Sequence, residues 1–268
     1  MKELICKKLK ELEVTEDISI LYAIESGSRI WGFESSDSDW DVRFIYVRKP
    51  EWYLTIGCLY NWPGNKDTIE IGTDENEIDM AGWDLSKALH LLTKTNCPLM
   101  EWLDSDIYYV LNKEFLSDIR KVSNLFYSRT RSMYHYYHMT KGNVISYMGD
   151  RDLVWAKKYL YIIRTLLCCV WIEKSTSPAP VKLRTMLDQL NVLGVIPDDI
   201  AAEILSFIKR KMNGEELGKQ PPNKLLSDYI NSEMLRLSSL LSGFEPEVLT
   251  TQENIKELNN LFRKYVMI

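Results

Sequence analysis

Gly27 to Arg43 reads GSRIWGFESSDSDWDVR, and the spacing of its carboxylates governs how the rest of the chain is understood. Just upstream, ISILYAI (Ile18 to Ile24) is apolar and rich in branched side chains, and it leads into Glu25, Ser26 and Gly27, which predicts a buried strand running into a turn. Just downstream, Asp39 to Val47 reads as a second strand. Residues two apart in a strand project from one face, so Asp39 and Asp41 aim their side chains together and Arg43 shares their face. Two carboxylates so close repel and raise each other's pKa unless a cation neutralises them, and hard oxygen donors suit Mg2+ or Mn2+. Metal ions held this way orient a nucleoside triphosphate, activate an attacking oxygen and offset charge on departing pyrophosphate. Gly27 admits phosphate close to the backbone, while Ser28 offers an amide and a hydroxyl. Arg43 either meets phosphate or fixes a carboxylate. Alone, SSDSDWD would pass as a solvated acidic turn. The apolar strands on both sides set it apart.

Further along, TIEIG and EIDMAG continue the strand signals up to Gly82. Trp83 and Asp84 then introduce LSKALHLLTK, in which Leu85, Ala88, Leu89 and Leu92 recur at helical spacing, with Asp84 placed as the N-cap. Beyond about residue 118 strand signals fade, and Asp152 to Glu173 and Asp198 to Met212 follow the helical period. Glu173 to Pro180 and Asn213 to Asn223 read as loops between helices. The expected class is α+β, with a mixed-sheet domain over 1–118 and a helical domain over 119–268.

Composition bounds the function from outside. In 268 residues, 46% are hydrophobic and 26% charged, which supplies a core and excludes a disordered or fibrous chain. The opening MKELICKKLKELEV mixes charged and apolar residues at helical spacing and lacks the apolar run of a secretory signal. The apolar run from Leu166 to Ile172 is too short to span a bilayer, so the expectation is a cytoplasmic protein without a membrane partner. Cysteines at 6, 58, 97, 168 and 169 lack the spacing of a zinc site or a disulfide framework and read as reduced thiols. A net charge of −5 argues against a general nucleic-acid coat protein but leaves room for an enzyme that grips one end locally.

Gly27-Ser28, Gly32 and then Ser38-Asp39-x-Asp41 resemble the signature of the polymerase-beta nucleotidyltransferase superfamily. More closely, SDSDWDVRFIYV, DMAGWDL (Asp79 to Leu85) with Lys87, TNCPLMEWLDSDIYY, SMYHYYHM and KKYLYIIRTLLCCVWIE are similar to the RlaP family, predicted nucleotidyltransferases associated with RNA ligase. The resemblance implies a nucleotidyltransferase catalytic domain over 1–118 and a helical domain that closes the nucleotide and acceptor cleft. It also implies a third carboxylate on a neighbouring strand, assigned to Asp79 because it precedes Gly82-Trp83-Asp84, with Glu77 and Glu70 left open. Asp79 would then join Asp39 and Asp41 as metal ligand and catalytic group. The expected substrate is an NTP, with ATP the first choice. The expected acceptor is an RNA end with a functional link to an RNA ligase. The alternatives are a protein acceptor, as in the antitoxin nucleotidyltransferases that the signature also resembles, or a nucleotide-binding regulator without turnover.

In the helical half, Lys157, Tyr161 and Arg164 fall at i, i+4 and i+7 and share a face. They are candidates for binding the triphosphate or base; the competing reading is a snorkelling surface stripe. Tyr134 and His138, one turn apart, are candidates to line the cleft. His135 reads as a packed residue, because no cysteine near it completes a zinc set.

Overall fold

The apolar segment behind the first charged helix is an interior strand of the sheet. The structure is a computed structural model describing residues 1–56, 66–148, 152–175, 177–215, 217–245 and 247–267; Cys58 lies outside them. Two compact units emerge. The first comprises Met1–Ile30, Asp39–Tyr127 and Val248–Ile268, and the second Trp31–Ser38 and Ser128–Glu247.

In the first unit, α1 (Lys2–Glu16) ends at Asp17 in the left-handed conformation and delivers the chain into β1 (Ile18–Glu25). A single helical turn, α2 (Gly27–Trp31), precedes β2 (Trp40–Arg48) and the short α3 (Pro50–Tyr53). The hairpin β3 (Thr68–Thr73) and β4 (Ile78–Asp84) follows, then α4 (Leu85–Thr93), α5 (Cys97–Asp104), β5 (Tyr108–Leu111) and α6 (Lys113–Leu125). The sheet order is β3-β4-β2-β1-β5. β2 and β4 run parallel, and the other pairs are antiparallel. The fold is therefore α+β with a mixed sheet, as the sequence predicts.

Alternation divides the strands between two cores. Val42, Phe44 and Tyr46 pack with Ile78 and Met80 against Ile5, Leu9 and Leu12 of α1. Ile45 and Val47 face the other way, toward Leu85, Leu89 and Leu92 of α4 and Phe115 and Ile119 of α6. Gly82 has no side chain because the Phe44 ring lies where one would stand. β1 carries a bulge between Ile20 and Tyr22. Ile18 and Ile20 point to the α1 side, Leu21 and Tyr22 both point away, and Ala23 returns to the α1 side. Beyond the bulge the strand is out of phase by one residue, which places Glu25 on the α1 side.

Asp84 caps α4 as expected, accepting the Ser86 amide at 2.8 Å. Burying each of the four apolar residues on that helix removes surface from water, about 1.5–3 kcal/mol for a leucine. The last helix, α12 (Gln252–Val266), also belongs to this unit. Tyr265 meets Phe115 edge to face and donates to Asp118, while Lys264 pairs with the same carboxylate. The unit that holds the sheet thus runs to Tyr127 and takes back the C-terminal segment, where the sequence placed a boundary at 118. α6 and α12 cover the sheet together, a long-range pairing that local periodicity does not encode.

The second unit is helical. It contains α7 (Arg129–Tyr147), α8 (Ala156–Lys174), α9 (Leu183–Val192), α10 (Asp198–Met212) and α11 (Lys224–Leu241), with a two-residue pairing of β6 (Val154–Trp155) and β7 (Lys219–Gln220). The helix expected from Asp152 starts at Ala156, because Val154 and Trp155 pair with Gln220 and Lys219 instead. It also runs one residue past Glu173, so the following loop begins later than expected. β7 interrupts the loop expected over Asn213 to Asn223. α8 is the buried centre, with Leu160, Ile163, Leu166, Leu167 and Val170 fully enclosed. The Thr140 hydroxyl donates to that of Thr165 at 2.8 Å, joining α7 to α8. Among the described residues, Cys6, Cys97, Cys168 and Cys169 form no disulfide. Among the described residues no helix is long and apolar enough to cross a membrane.

Candidate active site

The strand ends that carry Asp41 and Asp79 lie side by side. In the parallel β2 and β4 pairing, Trp40 is opposite Ile78, Asp41 opposite Asp79 and Arg43 opposite Ala81. Asp39 sits exposed just before β2. Of the other carboxylates considered for the third position, Glu77 is exposed in the turn before β4 with a left-handed backbone, and Glu70 is exposed on β3 opposite Ala81. Neither occupies the register position beside Asp41.

Arg43 ties the pair together. Its Nη2 donates to Asp41 Oδ1 at 3.2 Å and to Asp79 Oδ2 at 2.7 Å, and its Nη1 donates to the carbonyls of Val42 and Asp79. Arg43 is thus ion-paired with both strand-end carboxylates. Burial raises the Asp41 carboxyl above its ordinary value; the charges of Asp79 and Asp39 add to the rise, and those of Arg43 and Arg29 oppose it.

Gly27 is required by space and by backbone. Its φ is +62°, and a Cβ there would stand 1.9 Å from Asp41 Oδ2. Ser28 is buried beside it. The turn and the first strand carboxylate therefore fit against each other with nothing between them.

Two residues that the motif reading passed over complete the surroundings. Glu25, fully buried at the end of β1, accepts the Asp41 amide at 3.1 Å through Oε1 and the Tyr109 hydroxyl at 2.5 Å through Oε2. Burial pushes its carboxyl up to about 7, against the lowering effect of both hydrogen bonds. Arg29 donates to the Asp39 carbonyl at 3.2 Å. The available signal was a carboxylate closing an otherwise apolar strand, which the sequence reading treated only as the start of a turn.

Carboxylate oxygens are the hard donor type that a divalent cation takes, and the charged form of Asp41 is disfavoured by burial and by the neighbouring carboxylates. Among the described residues, no group of three or more His, Cys, Asp or Glu side chains is gathered closely enough to hold one. Asp41 and Asp79 are paired with Arg43 instead, and a cation bound there would have to share them with the guanidinium.

The sequence matches the RNA repair pathway DNA polymerase beta family (RlaP) over residues 1–264. The chain belongs to that family. It is also similar to YcgL of Bacillus subtilis strain 168, a protein described as uncharacterized, with 36% identity over 261 residues that span 97% of this chain and 95% of the relative. Membership in a polymerase-beta type family agrees with the class expected from Gly27, Ser28, Asp39 and Asp41.

In this family member the helical candidates are placed in the second unit, facing the segment that joins the turn to the carboxylate strand. Tyr161 meets Trp31 and Phe33 edge to face. Arg164 is buried, its guanidinium 4.3 Å from the centre of the Trp31 ring. Lys157 is exposed and lines a cavity of about 400 Å³ with Ser35, Asp37, Trp155 and Lys211. Asp37 is held below the usual carboxylate range by the Ser35 hydroxyl, with Lys211 and Lys157 contributing. Tyr134 and His138 stack with ring centres 6.1 Å apart, and the Tyr134 hydroxyl donates to the Leu241 carbonyl.

Proposed function

We propose that the chain is a metal-dependent nucleotidyltransferase that moves a nucleoside monophosphate from an NTP, with ATP the first choice, to an acceptor hydroxyl and releases pyrophosphate. The observation that carries this reading is the parallel register of Asp41 beside Asp79, with Gly27 packed on the Asp41 carboxylate. Asp39, Asp41 and Asp79 are the groups that would hold Mg2+ or Mn2+, which when bound supplies Lewis-acid stabilisation of the phosphate oxygens. Gly27 and Ser28 cradle the phosphates with backbone amides and a hydroxyl. Asp79 assists removal of the proton from the acceptor hydroxyl. Arg43 steadies Asp41 and Asp79 in the geometry that the cation meets. Lys157, the exposed member of its stripe, is assigned to the triphosphate, while Tyr161 and Arg164 hold the 31–38 segment. In this reading the sheet-bearing unit is catalytic.

The family's description as an RNA repair pathway family supports an RNA end as acceptor, with an RNA ligase as the functional neighbour. A chain of net charge −5 gains little from neutralising long runs of phosphate, which favours a short single-stranded or nicked end. The way Arg43 bridges Asp41 and Asp79 supports a second reading, a nucleotide-binding protein without turnover in which an arginine stands where a cation would.

Incubation with labelled NTPs, Mg2+ and a panel of RNA ends, DNA ends and partner proteins separates these readings. Label on an RNA end supports the full proposal. Label on a protein alone removes the RNA acceptor but keeps the chemistry. NTP binding without transfer to any acceptor favours the second reading.

A further inference from the structure

Trp40 stands between the two carboxylates of Asp39-Trp40-Asp41, and the peptide groups on both sides of it are gripped from one turn of chain. On one side, Arg29 Nε donates to the Asp39 carbonyl at 3.2 Å, and its guanidinium lies 3.7 Å from the centre of the Trp40 ring. On the other, the Asp41 amide donates to Glu25 Oε1 at 3.1 Å, while the Ser26 amide donates to the Asp41 carbonyl at 2.8 Å. Glu25 and Arg29 are four residues apart, with Glu25 Oε1 and Arg29 Nε separated by 3.8 Å. Gly27 and Ser28 lie between them in the chain. Glu25 is itself anchored: its amide donates to the Ile107 carbonyl, and its carbonyl accepts the Ser105 hydroxyl at 3.0 Å. A fully buried carboxylate is costly to keep, and packing alone would be served by an apolar side chain of similar size.

We propose that Glu25 and Arg29 are positioning residues. They lock the peptide frame of Asp39-Trp40-Asp41 to the Gly27-Ser28 turn, so that the carboxylates are aimed before nucleotide or cation arrives. The proposal rests on the nucleotidyltransferase reading above. The gain is preorganisation: partners behind a ligand set fix its orientation, so little is left to order on binding.

The test measures Mn2+ affinity by electron paramagnetic resonance, together with transfer kinetics and melting temperature, for wild type, Glu25→Ala, Glu25→Gln and Arg29→Met. Glu25→Ala and Arg29→Met are expected to weaken Mn2+ binding and lower kcat by on the order of tenfold, with the KM for NTP little changed. Glu25→Gln, which keeps an oxygen for the Asp41 amide, is expected to recover most of both. Arg29→Met keeps the stem over Trp40 and carries the test if Glu25→Ala does not fold. Unchanged Mn2+ affinity in a folded Glu25→Ala or Arg29→Met protein overturns the proposal. Equal losses in Glu25→Gln and Glu25→Ala also overturn it, because charge rather than the hydrogen bond would then be responsible. If wild type binds no Mn2+, the nucleotidyltransferase reading fails, and the frame is judged on metal-free protein by hydrogen exchange of the Asp41 amide. Glu25→Ala must speed that exchange and Glu25→Gln must not.

Discussion

The carboxylates of β2 and the basic stripe of α8 are both charged residues placed on one face by the period of their element, yet they end in opposite situations. Asp41 and Asp79 meet at neighbouring strand ends and remain partly exposed. Tyr161 and Arg164 turn inward onto Trp31 and Phe33, and of the three only Lys157 is exposed. Periodicity tells which side chains share a face, but not whether that face meets water or the chain's own aromatic rings. In the strand, the apolar residues further along consumed the core face, so the polar residues had to fall at the end. In the helix, almost every face is buried, and a guanidinium is accommodated by lying on an indole.

The largest effect expected is at the strand ends. Asp41→Asn should lower transfer by on the order of a hundredfold or more, because an interaction that stabilises developing charge is removed. Its melting temperature should hold or rise without added metal. Burial already disfavours the charged form of Asp41, so removing the charge relieves a cost that is felt above its unfolded pKa. Asp39→Asn should reduce transfer in the same way. Undiminished transfer in either variant would end the claim that the strand ends are catalytic.

Gly27→Ala tests the close fit from the other side. The left-handed backbone and the collision with Asp41 Oδ2 should cost about 1–3 kcal/mol in urea unfolding, with transfer lost alongside. A variant as stable and active as wild type would show that the turn and Asp41 are not tightly opposed.

Within the stripe, the comparison predicts a split. Arg164→Met should destabilise by about 1–2 kcal/mol through the lost contact with Trp31. Lys157→Ala should stay within about 0.5 kcal/mol of wild type in stability, yet weaken NTP binding by an amount that shrinks at high salt. If both changes act on stability alone, the stripe is wholly structural and Lys157 leaves the proposed nucleotide site.

The smallest effect lies at the turn between β3 and β4, which leads into Asp79. Asp74 accepts the amides of Ile78 and Asn76 and pairs with Lys8, and these bonds hold its carboxyl down at about 2. Its folded pKa lies below the unfolded value, so its contribution is present above the unfolded pKa and is lost as pH falls toward 2. Acid unfolding of Asp74→Asn should therefore lack one component of the pH dependence between about 4 and 2, measured by circular dichroism.

Much of the sheet was legible because its signals are local. The run Ile18 to Ile24, the alternation after Asp39 and the cap at Asp84 each needed only a few neighbouring residues, and α10 occupies the span that its periodicity predicts. What escaped depends on partners distant in the chain. β6 exists because Lys219 and Gln220 come to it, and α12 belongs with the sheet because Phe115 and Asp118 receive Tyr265. At the site, the face shared by Asp41 and Arg43 could be read from strand geometry, and Asp79 could be named through resemblance. The hold of Glu25 on the Asp41 amide could not, because a backbone amide leaves no mark in the sequence.

The bulge in β1 behaves like a frameshift in a two-letter code. Ahead of Leu21 the strand writes inside and outside in one phase, and after it in the other, so the bulge decides which side of the sheet the Glu25 carboxylate belongs to. Point substitutions along this strand can be absorbed one pocket at a time. Deleting the extra residue, Leu21, would leave Ile20 and Tyr22 in regular alternation with Glu25 on its present side, whereas one more residue between Tyr22 and Glu25 would turn that carboxylate to the other face, which makes length, more than composition, the property that end of the strand must preserve.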